Sequence, residues 1–292
     1  MFNFIGLRRF TIPFNTLIRF YPLFSEIMKT TTRNGPLHFG LPRKLKIAVF
    51  TTLSGVSIMI STEIKLKEKL KEADDLFDQN MCDEVVRLLE PLTDIKDADV
   101  LWRLCRAKYT LAKDIADRQM KKNVIDEADG LIKEAISLNE ASYQVHKWMA
   151  ILIEAKSAYC SLKEKIMQAY EIKKHMLRAL ELNPKDATVH HLLGCWCFEV
   201  AALPWYQRKI ANTIFAAPPN SSFEEALQHF LRAEEVDPQF YSMNYLMLGK
   251  TYLRLNDREK ATFYLKLACE YPQKTTDDAK AKEEAASILK NI

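Results

Sequence analysis

The chain has 292 residues, enough for one large domain or two small ones, with 27% charged residues and a net charge of +4. Only 7 glycines are present, and four of them (Gly6, Gly35, Gly40, Gly55) fall in the first 55 residues. Tight hairpins, phosphate-cradling loops and dinucleotide-binding turns need glycine where φ is positive or where the backbone must approach a ligand, so a β-rich or nucleotide-binding fold is excluded. No proline interrupts the chain between Pro91 and Pro184, which leaves long stretches free of helix breakers. An all-α fold is expected.

The charge is unevenly placed. Residues 1–62 carry eight bases (Arg8, Arg9, Arg19, Lys29, Arg33, Arg43, Lys44, Lys46) against Glu26 alone, so this segment is +7 and the remainder is −3. A slightly acidic body argues against nucleic acid as a partner, which calls for a basic footprint on the folded domain. An Arg-rich, acid-poor, hydroxyl-containing stretch over 1–46 has the composition of a mitochondrial targeting segment, the alternative being a disordered tail. The uncharged run 47–62 would span roughly 24 Å as a helix against a hydrocarbon core of about 30 Å, so it is a candidate short membrane anchor. The six cysteines lie scattered through helical sequence without a CxxC pair, which indicates reduced thiols rather than a disulfide framework.

From Lys65 onward the helices repeat. In Tyr245-x2-Leu248-Gly249-x2-Tyr252-x8-Ala261-x3-Leu265-x2-Ala268 every spacing fits the tetratricopeptide (TPR) pattern: small residues let two antiparallel helices approach, and bulky ones fill the space between pairs. Upstream, Leu193-Gly194-x2-Cys197 is the first half of a unit whose second half is Ala226-x3-Phe230-x2-Ala233. These halves are separated by 28 residues where the standard unit has 8. Ala135-x3-Asn139, Ala179-x3-Asn183-Pro184 and Ala233-x3-Asp237-Pro238 mark three pair boundaries, since Asn-Pro and Asp-Pro stop a helix and begin a turn. The reading is a TPR-like, right-handed α-solenoid over 63–292. It has about five helix pairs (near 65–92, 98–138, 142–182, 187–236 and 240–271), an inserted helix near 204–215 and a capping helix, Asp277–Asn291.

The insertion, LPWYQRKIANTIFAAPPNSSFEEAL, is not required by a generic TPR unit. With the HKW of 146–148 and the LGKTY of 248–252, it makes residues 65–290 resemble the regulator of microtubule dynamics family. The resemblance implies microtubules or tubulin as partner, a spindle and spindle-pole role in chromosome segregation, and cytoplasmic, cytoskeletal and mitochondrial locations. The periodicity by itself implies only a protein-binding scaffold. A mitochondrial scaffold or tether that recruits a partner protein, with membrane contact through 47–62, is the alternative.

TPR solenoids hold ligands in the groove lined by the first helix of each pair. One groove-facing row reads Arg103, Lys147, His191, Leu246; a turn further on it reads Ala107, Ile151, Cys195, Lys250. A partly basic groove of Arg103, Lys147, His191 and Lys250 would suit acidic peptide segments such as tubulin tails, although the same side chains serve equally as ordinary solvated or snorkelling groups. Trp205 with Arg208 and Lys209 on the inserted helix is a second candidate surface; the alternative is that Trp205 and Tyr206 pack that helix onto the solenoid. His191 and Cys195 are four apart and could share one face toward a metal, but Cys197 points elsewhere, and no cofactor or metal is expected. GxSxG, HExxH, Walker and GxGxxG motifs are all absent and no carboxylate pair stands out, so no catalytic residue is nominated.

Overall fold

The computed structural model describes residues 62–214 and 219–292. The targeting segment 1–46 and nearly all of the candidate anchor 47–62 lie outside the described residues. Among the described residues no helix is long and apolar enough to cross a membrane.

The described elements are all helical. They run α1 (62–78), α2 (Cys82–Leu89) with a 3-10 turn (Glu90–Ile95), α3 (Ala98–Asp114), α4 (Arg118–Leu138), α5 (Tyr143–Ser157), α6 (Leu162–Leu182) and α7 (Ala187–Ala202). After these come the inserted α8 (Trp205–Ile214), then α9 (Phe223–Val236), α10 (Ser242–Arg254), α11 (Arg258–Glu270) and α12 (Thr276–Leu289). Pairs α3/α4, α5/α6, α7/α9 and α10/α11 pack as expected hairpins, α1 and α2 share one core, and α12 caps the last pair against both of its helices. The TPR-like solenoid with one inserted helix and a capping helix is therefore the fold.

Helix starts are set by side chains that satisfy the free backbone N–H groups of the first turn. Asp97 accepts from Asp99 N (2.7 Å) and Val100 N, Asp186 from Val189 N (2.9 Å), and Asp257 from Lys260 N (3.0 Å). Ser161/Glu164 and Thr275/Asp278 form reciprocal capping boxes. The expected turn at Asn256-Asp257 is made with Asn256 at φ 62°, a left-handed conformation that asparagine tolerates better than most residues.

Burial follows the repeat. One core joins α1, α2 and α3 through Ala73, Val85, Leu89, Val100 and Leu104. A second joins α3, α4 and α5 through Trp102, Ile132 and Leu152. The largest runs from α5 to α12 through Met176, Leu193, Phe230, Leu248 and Leu265. Close helix approach depends on two glycines. A Cβ at Gly194 would lie 2.5 Å from Phe230 Cε1, and one at Gly249 would lie 2.6 Å from Leu265 Cγ.

Candidate functional site in the groove

The first helices of successive pairs lie side by side, and the candidate groove residues sit where one meets the next. Arg103 of α3 reaches Asp74 of α1, donating to it from Nε (3.0 Å) and Nη2 (2.8 Å), and Arg106 donates to the same carboxylate (2.7 Å). Burial works to raise Asp74, but the two guanidinium groups outweigh it and hold the carboxyl below its usual range. Between α3 and α5 the joint is aromatic, Tyr109 edge-on to Trp148 with centroids 5.8 Å apart. Lys147 of α5 donates to Asp186 Oδ2 at 2.7 Å; Asp186 is also the N-cap of α7 and is buried.

The next two joints continue the series. His191 of α7 is buried, its Nδ1 paired with Asn244 Oδ1 of α10 at 3.0 Å and its Nε2 3.5 Å from Cys195 Sγ. Asn244 Nδ2 donates to the Phe230 carbonyl, so its Oδ1 must be the acceptor and His191 carries its proton on Nδ1. Lys250 of α10 donates to Glu284 of α12 at 2.7 Å. Further along the inner face, Lys113 of α3 and Tyr241 both donate to Asp277 at the start of α12, at 3.0 and 2.9 Å. That contact ties the second pair to the cap.

The basic side chains expected to line the groove, Arg103, Lys147 and Lys250, are matched internally. Each holds an acid from another helix, so the row is a set of stitches between repeats with little unmatched charge. Leu246 and Ala107 are fully buried. The inner face also contains acid: Glu154 lies near Glu199, and burial together with the Glu154 charge pushes Glu199 up. Both ring nitrogens of His191 have partners, Nδ1 with Asn244 and Nε2 with the Cys195 thiol. Lys147→Ala would leave Asp186 buried without its cation. The expected cost is about 1–3 kcal/mol in urea unfolding, a loss of stability rather than of a ligand contact.

The inserted helix behaves differently. Trp205 is 76% exposed and Tyr206 49%, the two rings meeting edge-on at 6.2 Å, so they do not anchor α8 by burial. Arg208 ties α8 to the end of α7. Its Nε donates to Leu203 O (3.1 Å) and its Nη2 to Ala201 O (2.6 Å), which satisfies carbonyls at the C-terminus of α7. Lys209 is exposed, and Trp205–Ile214 contains no acid. Of the candidate site, Trp205, Arg208 and Lys209 form the solvent-facing part, whereas Arg103, Lys147, His191 and Lys250 hold the solenoid together.

The model of the family described as regulator of microtubule dynamics protein 1-3 matches residues 69–292, which takes in nearly the whole solenoid with its insertion and cap. The chain belongs to this family. It is 45% identical over 229 residues to regulator of microtubule dynamics protein 1 of Bos taurus, covering 78% of this chain and 72% of the relative. It is 42% identical to protein 1 of Mus musculus (85% and 81% covered) and 34% identical to protein 3 of Xenopus laevis (65% and 41% covered). A thermophilic TPR protein of Thermus thermophilus superposes with a TM-score of 0.51 at 14% identity, covering 76% of this chain and 98% of that one. At that identity the likeness supports the fold alone.

Proposed function

We propose that this chain is a non-enzymatic microtubule-associated protein acting in microtubule dynamics, including at the spindle and its poles during chromosome segregation, with the solenoid as its protein-binding scaffold. The observation that carries the reading is membership of a family named for regulating microtubule dynamics, matched across 69–292. A TPR-like scaffold suits recruitment of a partner better than it suits catalysis. For contact with acidic tubulin tails we favour α8 over the groove row. Arg103, Lys147 and Lys250 would have to give up internal acids to meet a tail, whereas Trp205 and Lys209 are exposed on a helix without acid.

The test is co-sedimentation of the full chain with microtubules before and after proteolytic removal of the tubulin tails. Tail removal should weaken binding. Trp205→Ala with Lys209→Glu should weaken it roughly tenfold, since an exposed attraction becomes a repulsion and one aromatic contact is lost. Binding unchanged by both would eliminate α8 as the tail contact, and failure to sediment at all would remove the reading. The +7 charge of residues 1–62 also supports a mitochondrial pool beside the cytoplasmic and cytoskeletal one, in which the solenoid acts as a scaffold or tether. Deleting 1–62 should abolish mitochondrial signal in imaging and leave microtubule binding intact.

A further inference from the structure

We propose that Cys197, Glu225 and His229 form a binding site for a zinc-class divalent cation between α7 and α9. One ligand atom from each of the three residues lies within 4.8 Å of the other two. Cys197 is buried on α7, and Glu225 and His229, four apart, share a face of α9. Mixed thiolate, imidazole and carboxylate donors suit Zn²⁺, with water completing a tetrahedron. Ca²⁺ and Mg²⁺ would want oxygen alone.

The surroundings prepare these ligands. His190 Nε2–H donates to the Pro184 carbonyl at 3.2 Å, so its Nδ1 is a lone pair. That Nδ1 faces His229 Nδ1 at 3.5 Å, so His229 carries its proton there and its Nε2 is left bare, the state a metal requires. Glu225 is oriented by Ser221 Oγ, which donates to Oε2 at 2.6 Å, and by Lys173 Nζ, 3.9 Å from Oε1. A Glu225 carboxylate oxygen lies within 4.8 Å of the Cys197 Sγ. On binding, the S–H bond breaks, its proton passes to solvent and the sulfur lone pair forms the bond to the metal.

The preceding pair supplies an internal comparison. There His146 Nε2–H donates to the Glu140 carbonyl (2.9 Å) and His146 Nδ1 meets His175 Nδ1 (2.9 Å), with Glu171 four residues before His175. The paired histidines and the glutamate are thus a repeated feature. Seven residues after the first histidine, however, the third pair has Ile153 where the fourth has Cys197. Only the fourth pair adds the thiol, and it does so where a bound ion would fasten the two helices that flank the inserted α8.

Cobalt(II) titration of the full, reduced chain tests the site. One equivalent should bind, with a thiolate-to-cobalt charge-transfer band that zinc displaces. Cys197→Ser and His229→Gln should lose the band while helicity and the melting transition are retained, and Cys195→Ser, whose thiol answers His191 instead, should keep it. His190→Phe removes the acceptor that sets the His229 tautomer and should bind about 10–100-fold more weakly. Absence of the band in the folded wild-type chain, or its persistence in Cys197→Ser, would overturn the proposal. So would its loss in Cys195→Ser. Should Cys197→Ser not fold, the same readings apply to His229→Gln.

Discussion

Truncating Phe230 to alanine is expected to destabilise the chain by about 3–5 kcal/mol, a large share of the roughly 5–15 kcal/mol that holds a domain folded. Phe230 is fully buried on α9, lies against His191 with centroids 5.6 Å apart, and fills the notch left by Gly194 on α7. The same notch makes the reverse change costly. Gly194→Ala would set a methyl group 2.5–2.9 Å from three atoms of the Phe230 ring. Overpacking of that kind costs about 1–3 kcal/mol, which outweighs the roughly 1 kcal/mol of helix propensity that alanine adds. Gly130, in the interior of α4, is the control. A Cβ there meets nothing within 4 Å, so Gly130→Ala should stabilise by up to about 1 kcal/mol. If the notch is the cause, Gly194→Ala should cost less in a Phe230→Leu background, with a coupling of about 0.5–3 kcal/mol in a double-mutant cycle from urea unfolding. Equal costs in both backgrounds would mean that Gly194 serves some purpose other than admitting Phe230.

These positions were legible because the pattern that reveals them is the packing itself. A small residue on a first helix, twelve residues before an alanine on the second in the uninterrupted unit, marks where two backbones must approach. The turns were legible too, since Asn183-Pro184 and Asp237-Pro238 act on the local chain. So was α8, bounded by Pro204 and the Pro218-Pro219 pair. What escaped was the destination of each long side chain. A helical face says that Arg103 points inward, but its partner Asp74 lies 29 residues away, and Lys147 finds Asp186 at a distance of 39. Periodicity carries no information on such pairings, so a row of stitches reads as a row of ligands. Trp205 misleads in the opposite sense. Its large apolar area suggests burial, yet Arg208 can secure α8 through two carbonyls and leave the indole in solvent. The Cys197, Glu225 and His229 set stayed hidden because the insertion separates the thiol from the other two. The sequence-level signal would have been the substitution of cysteine for Ile153 at the matching place in the repeat.

Acid should weaken the fold in a defined window, and His191 should be the largest single contributor. Its ring lies among Phe230, Phe240 and Tyr241, its Nδ1–H is committed to Asn244, and its Nε2 faces only the Cys195 thiol. Protonating Nε2 would put a cation in an apolar pocket with no acid to answer it, and burial accordingly lowers this imidazole to about 4 from its ordinary 6.5. The folded state therefore binds the proton less readily than the unfolded chain. The stabilisation is fully present above about pH 6.5 and is lost as the pH falls from there through the folded value near 4. At about 1.36 kcal/mol per pH unit, the loss across that window amounts to about 3 kcal/mol. His175 acts in the same direction. Burial, with a smaller contribution from the neighbouring His146 ring, lowers it. His191→Gln keeps a donor for Asn244 but cannot titrate. It should be less stable than the wild type near pH 7.5, and the gap should close by about 3 kcal/mol toward pH 4, measured by urea unfolding with a chelator present throughout. A gap that stays constant over that range would show that His191 is charged in the folded protein and that some other group carries the acid sensitivity.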